Sequence, residues 1–478
     1  MLGTWWLSSE YGDDDGPAEL RMPGEFNPAN TDAFTLTVAG SLLNDDDSSL
    51  EEVHYSHPAI HGKTVDAKAI SLLNVRRVQS RTTFSRSDDL TGPAEERWLC
   101  NLHSEGILHI EPTSILQKVA LDFDVTTAWA NAFRDNAHGD FSVVDSESQT
   151  FRAPEPWQRS TSIDGVTVSL MRGWTWSYDF STSFQASQAA SFELEGSISV
   201  NELRRRWIAP LQGLMSFISV RPARLGSITG YVQVDGEPDG VGVDIHLSEP
   251  KFITEYDEAP GPLDLLATRQ QLEKAGLSVD ELIKAWFDLY FSARLPLVYL
   301  LSADLPHIYS ETRAHFACMA LEAFHNQFMD TKRWPPDFHA ALVDKILNGL
   351  DGVDLAAEEI EWVKQRLRDG NNKGQIRKIR EVFEYAASTS NAIQYVWPGF
   401  DQLVRSQRNK SAHPQESSGN DGSVSAWATK TGLQWILRHA YLRQLGIESE
   451  SISTLMDKCY VYQRDLRHLQ DVYLSHGS

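Results

Sequence analysis

The chain has 478 residues with 41% hydrophobic and 23% charged side chains and a formal charge of −23; at about 150 residues per domain that is roughly two to four globular domains, with too much apolar content for wholesale disorder. Its 30 Gly, 20 Pro and three Cys exclude collagen-like and disulfide-scaffold classes. The cysteines, Cys100, Cys318 and Cys459, are far apart with no C-x-x-C pair, which fits a reducing compartment and argues against a Cys-rich zinc site.

In chain order, the first thirty residues carry Asp13, Asp14 and Asp15 but no apolar leader core. The longest apolar stretch, Leu295 to Ala303, is far short of the ~18 residues of a membrane span. A soluble cytoplasmic protein with no membrane partner is expected. Strand patterns follow. Phe34–Val38, Val166–Leu170, Phe192–Glu195 with Ile198–Val200, and Tyr231–Val234 alternate apolar and polar residues, the period of half-buried strands. Asp164-Gly165, Glu195-Gly196 and Asp235-Gly236 supply turn chemistry beside them.

After Pro260-Gly261-Pro262 the apolar spacing becomes helical, as in Leu282, Ala285, Trp286, Leu289 and Tyr290, and Ser278 with Glu281 has capping-box spacing. Further helices are predicted around 308–330, 337–349, 356–368, 374–388, 392–410, 423–445 and 450–470. The fold class expected is α+β multidomain: a mainly β, sandwich-like domain over 1–258 and an all-α domain over 259–478.

The charge is uneven. Between Lys364 and Lys410 ten basic residues stand against four acids, a local +6 on a body of −29. A basic patch is the electrostatic footprint of a nucleic-acid partner, although a solvated helix face explains it equally well. Within the patch lies Arg408-Asn409-Lys410-Ser411-Ala412-His413-Pro414. Pro414 disfavours helical geometry just before it, so the helix is expected to end near His413. An imidazole in the last turn is favoured in its protonated form by the helix dipole and exchanges protons near neutral pH. Asn409 lies four residues earlier on the same face, placed to hold the ring. Arg408 supplies a permanent planar charge for phosphate. A cation and a titrating imidazole suffice for metal-independent RNA cleavage by the 2′-hydroxyl. No ligand cluster points to a metal, and no cofactor is expected.

This R-N-x-x-x-H pattern in a helical domain resembles the HEPN ribonuclease signature, and the surrounding sequence is similar to the ApeA-like HEPN group. Ala320-Leu321-Glu322-Ala323-Phe324-His325 resembles an earlier hallmark of that group. Gly3-Thr4-Trp5-Trp6-Leu7, Ile60-His61-Gly62-Lys63-Thr64 and Ile70-Ser71-Leu72-Leu73 resemble the ApeA N-terminal domain, which usually has Pro where this chain has Ser8. The resemblance implies a homodimer or higher homo-oligomer that brings two motifs into one metal-independent site. It also implies abortive defence against phage, with the helical part as the toxic ribonuclease and the β part as sensor or restraint, triggered by a phage-encoded protein. By this analogy Arg408 and His413 are catalytic and Asn409 orients or binds. Lys410, Arg405, Arg377, Lys378 and Arg380 are candidates for RNA contact, with tRNA a plausible substrate. Glu322 and His325, three apart on one helix, either support the site or pack helices. The alternative is a non-catalytic helical module that only dimerises or docks a partner.

Other candidates are weaker. His57 and His61 offer two imidazoles but no third ligand, and Pro58 breaks a helical pairing. Arg204-Arg205-Arg206-Trp207 and Arg76, Arg77, Arg81 and Arg86 have charge for RNA, but solvated faces account for them better. Trp174 and Trp176 share one strand face and are expected in the core. The acidic tracts 13–15 and 45–47 are expected to be solvated loops. There is no Walker loop, G-x-S-x-G elbow or G-x-G-x-x-G.

Overall fold

A computed structural model describes residues 1–8, 21–28, 33–42, 55–82, 93–130, 157–179, 183–248, 261–350, 353, 356–412 and 421–476. The chain divides into two compact units, Met1–Trp286 and Phe287–Ser478. The expected junction at 258/259 lies outside the described residues.

In the first unit, six strands form a closed ring. They are β1 (Leu2–Leu7), β2 (Met22–Asn27), β3 (Phe34–Val38), β4 (Ser56–Thr64), β5 (Ala69–Thr82) and β6 (Pro93–Cys100). The antiparallel pairs run β1–β2, β2–β3, β3–β6, β6–β5, β5–β4 and β4–β1. Closure leaves no unpaired sheet edge within the ring. The mainly β character is as predicted; in place of two facing sheets, one sheet curls into a barrel. The length of β5 explains the difference. At 14 residues it pairs β6 through Arg76–Thr82 and, through Ala69–Leu73, pairs β7 (Leu102–Gly106) on the same edge. From β7 the sheet continues through β13 (Glu237–Leu247), β12 (Leu225–Val234), β8 (Ile115–Phe123), β11 (Ser183–Ser199), β10 (Val166–Asp179) and β9 (Trp157–Ile163).

Trp5, Phe26, Leu36, Ile60, Ile70 and Trp98 fill the barrel, each contributing on the order of 1.5–3 kcal/mol by burial. The fit is tight where Trp5 lies over β4: a Cβ on Gly62 would fall 2.2 Å from the indole ring. Glu96 is fully buried yet satisfied, accepting from Ser41 Oγ, the Leu42 N–H, Arg77 Nη1 and Trp98 Nε1 at 2.9–3.2 Å. Arg77 therefore belongs to the barrel's packing. Strand periodicity did not foresee the helical insert after β11, in which one turn (Val200–Glu202) and a π-helical stretch (Leu203–Ile208) lead into a helix. There Arg206 pairs with Asp164 at 3.0 Å and Trp207 is buried. Trp174 and Trp176 lie on β10, but their side chains, like residues 13–15, 45–47 and Arg86, fall outside the described residues.

The helices are α1 (Thr126–Ala130), α2 (Ala209–Ser219), α3 (Arg269–Lys274), α4 (Val279–Ser292), α5 (Arg294–Ser302), α6 (Ser310–Phe328), α7 (Pro336–Asn348) and α8 (Ala357–Asp369). They continue as α9 (Gln375–Tyr385), α10 (Ala387–Val396), α11 (Phe400–Ala412), α12 (Asp421–Gln444), α13 (Ser449–Lys458) and α14 (Tyr460–His476). The predicted cap holds: the Ser278 N–H donates to Glu281 Oε2 at 3.0 Å. Three predicted helices are broken, the first being 374–388, which divides at Ala386. The stretch 392–410 divides at Pro398-Gly399, where Gly399 takes φ +76°, and 450–470 divides at Cys459.

In the second unit α12 is the central helix, with Leu433, Trp435, Ile436, Leu437, Ala440 and Tyr441 buried on every face. α6, α10, α11, α13 and α14 pack against it. Its buried cations need a counter-charge, and Asp304 supplies it, 3.1 Å from Lys430 Nζ and 2.5 Å from Arg438 Nη2. Burial alone would raise the Asp304 pKa; the Arg438 and Lys430 charges outweigh it and hold the carboxyl below its usual range. Among the described residues no helix is long and apolar enough to cross a membrane.

Candidate functional site

α11 carries Arg408, Asn409 and Lys410 of the R-N-x-x-x-H segment, and its sequence explains its seating. Phe400, Val404 and Gln407 recur at i, i+4 and i+7 and are buried, while Arg405, Asn409 and Lys410 are exposed. Phe400 lies so close to α12 that a Cβ on Gly432 would fall 2.2 Å from its ring. Arg408, one turn beyond Val404, stands at the margin between the two faces with 36% of its side chain exposed. There its Nε donates to Glu322 Oε1 of α6 at 2.8 Å.

Residues of α6 reach two neighbouring helices. One turn after Glu322, the fully buried His325 places Nε2 2.7 Å from Glu381 Oε2 of α9. Lys373 Nζ and Arg377 Nε also donate to Glu381, at 3.0 and 3.1 Å. Desolvation would raise the Glu381 pKa, but the hydrogen bonds from His325, Lys373 and Arg377 together prevail and hold it down at about 2. Asn326 accepts from Lys378 Nζ at 2.7 Å.

The sequence candidates thus separate. Arg408 meets Glu322; His325 turns instead to Glu381. Arg377 and Lys378 are engaged by α9 and α6, and Arg380 lies 3.7 Å from Asp401. Among the described residues no partner holds Arg405, Asn409 or Lys410, which present two cations and an amide at the C-terminal half of α11. His413 lies outside the described residues, one position past the last described turn. His57 is tied to the Ala59 carbonyl at 2.8 Å, whereas His61 reaches Ser71 and Glu111, so the two do not converge.

Sequence reasoning missed Glu381, although Arg377 four residues before it on a helix is an ion-pair spacing. It also missed a His103, Glu105 and His246 group in the first unit, whose ligand atoms lie within 4.8 Å of one another. His103-x-Glu105 is legible as two side chains on one strand face; His246 joins them only through strand pairing. The three cysteines are buried and form no disulfide, and burial pushes the thiols up to about 12 for Cys100 and Cys318 and about 11 for Cys459.

Comparison with known families finds two matches. Residues 1–274 match the ApeA N-terminal domain 1, and residues 317–451 match the Apea-like HEPN domain. The second match spans α6 through α12 and so contains both Glu322 and Arg408. No curated protein and no solved structure matches significantly. A barrel-bearing β region under one model and a helical region under the other, with Arg408 and Asn409 of the R-N-x-x-x-H motif on α11, lead to one conclusion: the chain belongs to the ApeA family of HEPN-domain defence proteins.

Proposed function

We propose that the protein is a metal-independent endoribonuclease acting in abortive defence against phage, with Arg408 and His413 as its catalytic groups and Asn409 orienting the ring or the RNA. The observation that carries this reading is the motif's placement inside the Apea-like HEPN match, with Arg408 fixed by Glu322 at 2.8 Å beside exposed Asn409 and Lys410. In the reaction the ribose 2′-oxygen bonds to the neighbouring phosphorus and the 5′-oxygen leaves with a proton. His413 moves a proton, while the guanidinium of Arg408 stabilises the charge of the pentacoordinate phosphorus. Arg405 and Lys410 add phosphate contacts. HEPN domains commonly dimerise and bind RNA, so two motifs from two copies make the working site. The β region then acts as restraint or sensor, with a phage-encoded protein as trigger and tRNA among the substrates.

The test has two arms. His413→Ala and Arg408→Ala are expected to abolish protection of phage-challenged cells and to leave cellular RNA intact. Purified activated protein is expected to cut RNA in EDTA and leave 2′,3′-cyclic phosphate ends. Unchanged protection removes the motif from the mechanism, and a requirement for divalent metal removes the acid–base scheme. The Arg408–Glu322 ion pair itself supports a second reading, in which the motif holds helices together in a non-catalytic dimerising module. Loss of stability without loss of any RNA cleavage is what that reading expects.

A further inference from the structure

The group in the first unit lies on two paired strands. His103 and Glu105 are two apart on β7 and share a face, and His246 of β13 is the register partner of His103. His103 is 2% exposed, walled edge-on by Phe34 and Phe26 at 4.4 and 4.9 Å between ring centroids. Neither of its ring nitrogens has a hydrogen-bond partner among the described residues. Native proteins satisfy nearly all such buried atoms, so this one asks for a ligand. Its Nε2 points toward Glu105, with Oε1 3.5 Å away, beyond good hydrogen-bonding distance. The exposed ring of His246 stacks over it at 4.5 Å and 14°.

We propose that His103, Glu105 and His246 form a binding site for a divalent transition-metal ion, zinc foremost, where β7 at the barrel meets β13. Two imidazoles and one carboxylate suit zinc and neighbouring first-row metals and leave a fourth position for water. With metal–ligand bonds of about 2.0–2.1 Å a tetrahedral shell spaces its ligand atoms about 3.3 Å apart. The present spread of up to 4.8 Å therefore closes by about 1.5 Å on binding. Stacked rings aim their lone pairs side by side, so His246 must tilt toward His103, and its exposure allows this. Lys68 Nζ is 3.5 Å from Glu105 Oε2 and leaves Oε1 for the ion. The ion would staple the barrel to the rest of the sheet, stabilising the folded state by mass action.

Full-length protein stripped with EDTA and dialysed is titrated with Co2+ and Zn2+. One equivalent of Co2+ should bind with the visible absorption of a tetrahedral nitrogen–oxygen site and be displaced by Zn2+, and Zn2+ should raise the melting temperature. His246→Ala, an exposed change, should weaken binding at least tenfold and remove the thermal shift. Glu105→Gln should do the same; it decides the matter if circular dichroism finds His246→Ala misfolded. No stoichiometric uptake by the parent chain, or equal uptake by a folded variant, overturns the site. RNA cleavage in EDTA is a separate measurement, so this outcome and that of the nuclease reading are independent.

Discussion

Glu322 decides where the Arg408 guanidinium points. With 20% and 36% of the two side chains exposed, the pair contributes about 1 kcal/mol or less to stability. A positioning role predicts a different signature. Glu322→Gln keeps the size but removes the charge, and on the proposed nuclease reading should lower kcat for RNA cleavage about tenfold, equivalent to about 1.4 kcal/mol of transition-state stabilisation, with KM little changed. Chemical denaturation of the same variant should move by about 1 kcal/mol at most. A fall in activity that merely tracks the folded fraction would refute positioning. Cys318, one turn before Glu322, is held as a neutral thiol, because desolvation first and the Glu322 charge second push it up to about 12.

At the scale of elements, the seat of α11 rests on the contact between Phe400 and Gly432. Two effects of Gly432→Ala oppose one another. Helix propensity favours Ala by about 1 kcal/mol, whereas forcing a methyl to within 2.2 Å of the Phe400 ring costs about 1–3 kcal/mol of overpacking. The second term is the larger, because the obstacle is a buried ring between two helices rather than a flexible chain end. The variant should lose about 1 kcal/mol net in urea denaturation and shift α11 away from Glu322. A gain in stability would mean that the helices part easily and that the seat is soft.

For the molecule as a whole, acid stability follows from its buried groups. Desolvation and the Arg443 charge hold His439 at about 4, and desolvation with His246 holds His103 at about 3. Both lie below the unfolded value of about 6.5, so they favour folding fully above pH 6.5. As pH falls below 6.5 the unfolded chain takes up protons that the native state refuses, and stability drops until the folded pKa is reached. Asp304 and Glu381, held below the usual carboxylate range, favour folding above that range, and their contribution is lost as acid protonates them, for Glu381 at about pH 2. Denaturation measured across pH should therefore show a first loss from 6.5 down to about 3, from the imidazoles, and a second below 4, from the carboxylates, that overlaps its acid end. Replacing His439 by Gln should reduce the first by about 3 kcal/mol at most and leave the second unchanged. Stability flat from pH 7 to 4 would contradict the assignment.

Local pattern was enough for much of this protein. Period-two runs became β3, β10, β11 and β12, the Ser278–Glu281 spacing became a cap, and helical spacing after 260 became helices, because each depends on neighbours within a turn or a pleat. The R-N-x-x-x-H motif was legible for the same reason, as residues within five positions of one another in the chain. Closure of the barrel was not, since it depends on β5 being shared by β4, β6 and β7. The partner of Arg408, the bond of His325 to Glu381 and the meeting of His103 with His246 were also beyond reach. Each joins side chains from segments far apart in the chain, and only packing determines which of many chemically suitable partners arrives there.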